Sequence, residues 1–368
     1  MAHHYSRREF ARLALAAVPL PSIRLYAQRL PAGAPNSVIN GVHVGVMTGS
    51  FQGIPADQII PSMVSIGLSE VELQSTHAES LAGAPAAAGG GGRGGNNTAV
   101  PAAPNADGLL PRCANLPVVV NPVPSAVTSS RGRGPGSPEQ EAALERLRAW
   151  RAATTPATWQ AVRKQFTAAG IDLRILWYSL GFQGAPTSDE DIDYAFRMAQ
   201  GLGVRVMSGS STIPIAKRIA AAAAKYKMPW GGHTQDNVND PDQFVTPESY
   251  ERLLALSPYF RINLDIGYFT AAGFDAVPFI QKHHAKITDI HLKDKKRSVS
   301  LGGPVTNNAI NNYPWGQGDT PIREVLQLLK KEKYDIPVQI EFEYGCRTTA
   351  DTTTEIARCY EYIKKCLA

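Results

Sequence analysis

A chain of 368 residues, 43% of them hydrophobic, is long enough for one large α/β domain or two ordinary ones around a real core. The formal charge is +5, but five arginines and one glutamate put +4 of it in the first thirty residues. The remainder carries no basic face for duplex nucleic acid, and the four cysteines include no CxxC pair, which excludes a zinc ribbon.

The N-terminus, residues 1–30, reads as an export signal. Ser6-Arg7-Arg8-Glu9-Phe10-Ala11-Arg12 resembles the twin-arginine motif, and a moderately apolar run, Leu13 to Ile23, follows it. That run is too short and too Pro-broken to span a bilayer, so a periplasmic protein with no stable membrane insertion is expected, with cleavage after Ala27. The competing reading is a basic amphipathic N-terminal helix.

Strand candidates at Gly41–Met47 and Glu70–Leu73 flank a helical pattern over Ala56–Ile66. From Ala82 to Ser137 the sequence is dense in Gly, Ala, Pro and Asn, with a GGGGRGG run and almost no periodicity. Such a segment buries too little surface to offset its ordering entropy, so a long flexible insertion is expected. RNA binding through the Arg-Gly run is the weaker reading, since arginines are few and aromatics absent.

Order is expected again from Pro138. A helical region over Glu139–Ala169, broken near Pro156, leads to a strand at Leu173–Trp177. Helices follow over Asp189–Leu202, capped by Ser188, over Ile215–Tyr226, and over Pro247–Leu256, capped by Thr246. Between them lie strands at Val204–Met207 and Met228–His233. Ile262–Asp265 and Ile287–His291 are strands around a helix, Ala276–His284. Beyond a Gly/Asn-rich loop come a helix at Pro321–Lys331, a strand at Val338–Phe342 and a last helix at Thr352–Cys366. On that helix Cys359 and Cys366 lie about 10 Å apart, too far to bridge; Cys113 falls in the insertion and Cys346 after a strand.

Strand–helix alternation repeated eight times implies a parallel sheet closed into a (β/α)8 TIM barrel, spanning 40–368 with the insertion 82–137 after the second strand. In such a barrel the reactive residues sit at the C-terminal strand ends. The last four ends offer His233, Asp265, His291 and Glu341, with Glu343 two positions on. Asp265 and His291 close the two strands of one βαβ unit, so they should be neighbours although 26 positions apart. Two imidazoles and two carboxylates on adjacent strands suit a divalent ion: zinc, iron, cobalt or manganese, the last best matched to sugar oxygens. A lone strand-end histidine is more often a packing residue; the consecutive set is what points to a metal.

LDIGYFTAAG, DIHLKDKKR, GQGDTPI and VQIEFE resemble the sugar phosphate isomerase/epimerase superfamily, the xylose-isomerase-like, AP-endonuclease-family-2-like TIM barrels. The resemblance covers Gly41 to the C-terminus apart from the insertion. It implies a metal-binding barrel in which Asp265, His291 and Glu341 match the family's ligands. The fifth strand departs from it, because His233 in GGHTQDN stands where many members have a glutamate. It is similar to a subgroup reading HNH, with Gln235 in place of the second histidine. The two-glutamate epimerase mechanism should therefore not carry over whole.

The resemblance implies proton abstraction beside a sugar carbonyl, by isomerisation or epimerisation, or by β-elimination from a 3-oxo-glycoside; a non-catalytic carbohydrate-binding barrel is the third reading. The partner expected is a small carbohydrate, not nucleic acid, since the DNA-repair endonucleases of this fold use a richer ligand set; homo-oligomerisation is compatible with the fold. Glu341 is the first candidate base, or else a pure ligand; Glu343, on the same strand face, is the second. Lys293 would neutralise an oxyanion or pair with Glu341, the alternative being a solvated loop lysine. Asp294 could stand behind a ligand. Glu72 and His77 are candidates to reach substrate or to orient a ligand, and Trp177 to stack on a sugar or simply to pack. His283 and His284 read as surface.

Overall fold

The computed structural model describes residues 33–85, 138–182, 186–235, 237–297, 312–344 and 349–368. The expected signal, the GGGGRGG run, Cys113 and Cys346 lie outside the described residues. The barrel belongs to the unit Gly33–Ala368.

Its parallel strands are β1 (Val42–Met47), β2 (Glu70–Gln74), β3 (Asp172–Trp177), β4 (Val206–Gly209), β5 (Trp230–His233), β6 (Phe260–Asp265), β7 (Ile287–Leu292) and β8 (Val338–Ile340). Hydrogen bonding runs β1-β8-β7-β6-β5-β4-β3-β2, and β2 returns to β1 with Val46 opposite Val71, which closes the barrel. Each strand sends alternate side chains to opposite faces. Val44, Val46, Leu73, Leu264, Ile290 and Leu292 join the buried apolar layer shared with the helices. The other face is polar: Glu72, Ser208, Asn263, Asp289 and Gln339 are buried in the lumen.

Two register shifts bend this pattern, one between Val71 and Glu72 and one between Ile262 and Asn263. In the second, Ile262 pairs with Ile287 but Asn263 pairs with Asp289, so Thr288 is the extra residue on β7. A one-residue slip turns every later side chain to the opposite face. Here it sets Asp265 opposite His291, as the βαβ reading requires.

The helices are α1 (Ala56–Ile66), α2 (Ser75–Leu81), α3 (Pro138–Ala153), α4 (Pro156–Ala168), α5 (Asp189–Leu202), α6 (Ile213–Tyr226), α7 (Pro247–Leu256), α8 (Ile266–Ala271), α9 (Ala276–His283), α10 (Ile322–Glu332) and α11 (Thr349–Leu367). Ser188 and Thr246 cap α5 and α7 by reciprocal bonds, as their sequence positions suggest. The region expected as one helix with a break is two, because Pro156 opens α4 behind a Thr155 capping box. Among the elements not expected are the short helices α2 and α8, each starting where a strand ends, a strand at Val38–Ile39 antiparallel to the start of β1, and a ribbon pairing Asp294–Lys295 with Asn312–Tyr313. Ala82 closes α2 through its amide bonds to Ala78 and Glu79, so helical bonding reaches the first residue of the span expected as insertion. Among the described residues no helix is long and apolar enough to cross a membrane. Cys359 and Cys366 are buried and not bridged to each other, as their spacing implies.

Candidate metal centre and active site

His233, Asp265 and His291 end or nearly end β5, β6 and β7, and Glu341 follows β8, its amide still bonded to the Leu292 carbonyl. One ligand atom from each of the four lies within 4.8 Å of all the others, and all four residues are buried. Asp265 is both strand end and helix cap. Its Oδ1 accepts the Tyr268 amide at 2.9 Å, so Oδ2 turns to the cluster, 3.7 Å from His233 Nε2 and 3.0 Å from Lys293 Nζ. The turn into α8 needs glycine at 267, where a Cβ would meet Lys293 Cγ at 2.3 Å.

His291 is gripped on both ring nitrogens, Nδ1 by Glu341 Oε2 at 2.8 Å and Nε2 by Glu72 Oε2 at 2.5 Å. Lys293, 1% exposed, bridges Asp265 Oδ2 (3.0 Å), Glu341 Oε2 (3.1 Å) and Glu343 Oε2 (2.7 Å) above the Tyr268 ring. It is not the solvated loop lysine.

These contacts set the charge states. Burial pushes the Asp265 carboxyl up to about 6, against the pull of Lys293. Burial, reinforced by His291, holds His233 well below the ordinary histidine value, which leaves a neutral imidazole able to donate a lone pair. For Glu341 burial works upward, but Lys293 and His291 outweigh it and hold the carboxyl well below its usual range. The same balance, with burial overcome by carboxylates, raises Lys293 and His291 well above their ordinary values.

The donor set fits a divalent ion. His233 Nε2 is buried without a hydrogen bond, and it faces Asp265 Oδ2, a buried oxygen whose partner is the Lys293 ammonium. Two imidazoles and two carboxylates match the mixed nitrogen and oxygen preference of zinc, iron, cobalt and manganese.

The other expected site residues separate. Glu72 is fully buried and reaches His291 from across the lumen; this fits orienting a ligand and not touching substrate. Trp177, 9% exposed, stacks on His291 at 5.6 Å and meets His233 edge-on at 4.6 Å, so it packs against the cluster. His77, half-buried in the first turn of α2, holds Thr48 Oγ1 at 3.0 Å. Glu343 has the more open carboxylate, 22% exposed against 8% for Glu341. Gln235, in the place of the subgroup's second histidine, donates to the Ser211 carbonyl. His283 corrects the surface reading: it is buried and packs on the Phe279 ring at 4.5 Å, whereas His284 stacks on Tyr334.

Asn263, Asp289 and Tyr268 were not foreseen. A signal existed for the first two, since positions 263 and 265, like 289, 291 and 293, alternate onto one strand face. Asp294 stands behind the GQGD turn rather than behind a ligand, accepting the amides of Gly316 (2.7 Å), Gly318 (2.9 Å) and Thr320 (3.3 Å). A Cβ on Gly318 would lie 1.9 Å from Asp294 Oδ1. Gly318→Ala is therefore expected to cost about 1–3 kcal/mol in a denaturant melt, and an unchanged midpoint would contradict this packing.

No family model matches the chain, and no curated protein matches it. Solved structures do. The probable 3-DHS dehydratase AsbF involved in petrobactin synthesis, from Bacillus anthracis, is 14% identical, with a TM-score of 0.53 over 86% of this chain and 97% of its own. The IolI protein with a bound zinc atom is 10% identical, with a TM-score of 0.54 over 88% and 98%. A xylose isomerase domain protein from Alicyclobacillus acidocaldarius is 12% identical, with a TM-score of 0.53 over 89% and 99%. At these identities the likeness is one of fold, a (β/α)8 TIM barrel.

Proposed function

We propose that this chain is a divalent-metal-dependent enzyme that removes a proton beside a carbonyl of a small carbohydrate. The observation that carries the reading is the buried four-residue donor set, with Lys293 and Glu343 beside it at the barrel mouth. His233, Asp265, His291 and Glu341 would hold the ion, with manganese the first to test. Zinc is the second, since the IolI neighbour binds it; cobalt and iron come after. A bound divalent ion supplies Lewis-acid polarisation of a sugar carbonyl and the hydroxyl next to it.

The chain's own groups divide the remaining work. Glu341 is a poor proton acceptor, tied to His291 Nδ1 and Lys293 Nζ and held well below the usual carboxylate range, which favours it as ligand. Glu343 shares the Lys293 contact but has no bond to His291, is more open and lies on the same strand face, so it is the better base, reversing the order expected from sequence. The Lys293 ammonium, 2.7 Å from Glu343, can neutralise the oxyanion that develops. Epimerisation by two opposed bases needs a second free group, but β5 ends in His233, which the metal would take. One-base chemistry remains: isomerisation, or β-elimination from a 3-oxo-glycoside.

The test is solvent exchange in D₂O with manganese-loaded protein and a panel of sugars and 3-oxo-glycosides. Deuterium beside the carbonyl, with metal required, is the expected result, and the product then separates isomerase from lyase. Glu343→Gln should slow exchange by about 10²–10⁴-fold at full metal content. Metal uptake without exchange across the panel would favour a carbohydrate-binding barrel. The proposal includes export by the twin-arginine route, checked by fractionation of an Arg7→Lys/Arg8→Lys variant, which should stay in the cytoplasm.

A further inference from the structure

Beneath the metal centre lies a polar belt that the proposed reaction does not use. Glu72 on β2 extends across the lumen to His291 on β7, its Oε2 2.5 Å from Nε2. The other oxygen, Oε1, accepts the Ser208 hydroxyl from β4 and the Asn263 amide from β6, the latter at 3.2 Å. Asn263 Nδ2 also bonds Asp289 Oδ2 at 2.7 Å, an oxygen 3.5 Å from His291 Nε2. Asn263 Nδ2 itself lies 3.2 Å from that nitrogen, but Glu72 and Asp289 take its two hydrogens and leave Nε2 its own proton to donate. Glu72, Ser208, Asn263, Asp289 and His291 are all fully buried. Four strands thus fix one carboxylate against the Nε2 edge of one imidazole.

An imidazole can offer a metal either ring nitrogen, and the nitrogen left over needs a partner. We propose that Glu72 is a positioning residue that holds the proton on His291 Nε2 and so selects Nδ1 as the metal-binding atom. Nδ1 already faces the centre, 2.8 Å from Glu341 Oε2. Trp177 stacked on the ring, 29° from parallel, limits its tilt. His233 takes the opposite sense, with Nδ1 3.5 Å from Ser210 Oγ and Nε2 in the cluster. The two histidines therefore bind through different nitrogens. This inference rests on the metal reading. A carboxylate behind a ligating histidine orients the ring and raises its basicity, and loss of such a partner typically costs about 10–100-fold in metal affinity.

The test titrates the full chain with Zn²⁺ and Mn²⁺ against a competing chelator and records histidine ¹⁵N spectra of the zinc form. Wild type should show His291 Nε2 protonated and Nδ1 bound to zinc. Glu72→Gln should raise Kd by about 10–100-fold with one ion still bound per chain, and Ser208→Ala, which removes only one contact to Glu72, by less. A Kd within twofold of wild type in Glu72→Gln, or zinc on Nε2 in wild type, overturns the inference and leaves the metal site standing. If Glu72→Gln does not fold, the wild-type spectrum alone decides. Wild type that takes up neither ion overturns the metal reading itself, and this inference with it.

Discussion

Asp265→Asn is expected to strip the metal from the protein and leave the barrel folded. An asparagine Oδ1 caps a helix as well as an aspartate does, so the 2.9 Å bond from the Tyr268 amide survives. What is lost is the charge on Oδ2, the buried oxygen that faces His233 Nε2 and Lys293 Nζ. Losing a ligand should exceed the roughly 10–100-fold penalty for losing a partner behind one, so the purified variant should carry almost no ion. Burial pushes Asp265 up to about 6, above its ordinary 3.8, so the folded state holds this proton more tightly than the unfolded chain does. Metal-free wild type should then lose this increment of stability as pH rises from about 4 to about 6, and Asp265→Asn should not.

His291→Ala makes the contrast. It leaves Glu72, Asp289 and Glu341 buried without their shared imidazole, a loss on the order of 3–5 kcal/mol. Elemental analysis and thermal melts of both variants decide the matter. A full ion per chain in Asp265→Asn would remove that residue from the donor set.

The parts of this site that sequence exposed are those set by neighbouring strands. Asp265 and His291 close one βαβ unit, so their adjacency needs only parallel pairing, and His233 and Glu341 extend the row by one strand on either side. Alternation alone sends Glu341 and Glu343 to one face. What sequence concealed depends on closure or on local geometry. Glu72 meets His291 only because β2 and β7 face each other across a closed lumen. The Thr288 bulge, which keeps Asp289 and His291 in register with Asn263 and Asp265, leaves no mark in composition. Lys293 is the mixed case: its place just past β7 left a solvated loop lysine as the alternative, yet it keeps the strand's alternation with 289 and 291 and pairs with Glu341, as expected. The ribbon at Asp294–Lys295 has two residues on each side, too short to carry a period. His283 is buried by the Phe279 ring one turn earlier on the same helix, a contact that the His-His pair does not announce.

Lys293→Met is expected to weaken the metal-free protein by about 3–5 kcal/mol and, in the same variant, to tighten metal binding. The ammonium lies 3.0 Å from Asp265 Oδ2 and 3.1 Å from Glu341 Oε2, the oxygens that the donor set would give to the ion. Without metal it is the cation that balances them, together with His291. Its burial opposes the charge, but three carboxylates outweigh burial and raise it well above its ordinary value. Methionine keeps much of the side-chain volume and removes the charge, so Asp265, Glu341 and Glu343 lose a shared partner and the folded apo state rises in energy. A divalent ion restores positive charge to the same oxygens and no longer competes with an ammonium for them. Stabilisation by a ligand grows as RT ln(1 + [L]/Kd), so added manganese should raise the melting temperature more in Lys293→Met than in wild type. If the proposed reaction holds, deuterium exchange should nevertheless be lost, because the group proposed to neutralise the oxyanion is gone. Tighter metal with no exchange would separate the lysine's work on substrate from its contest with the ion. Equal apo stability and an equal metal-induced shift in the two proteins would make the lysine a bystander.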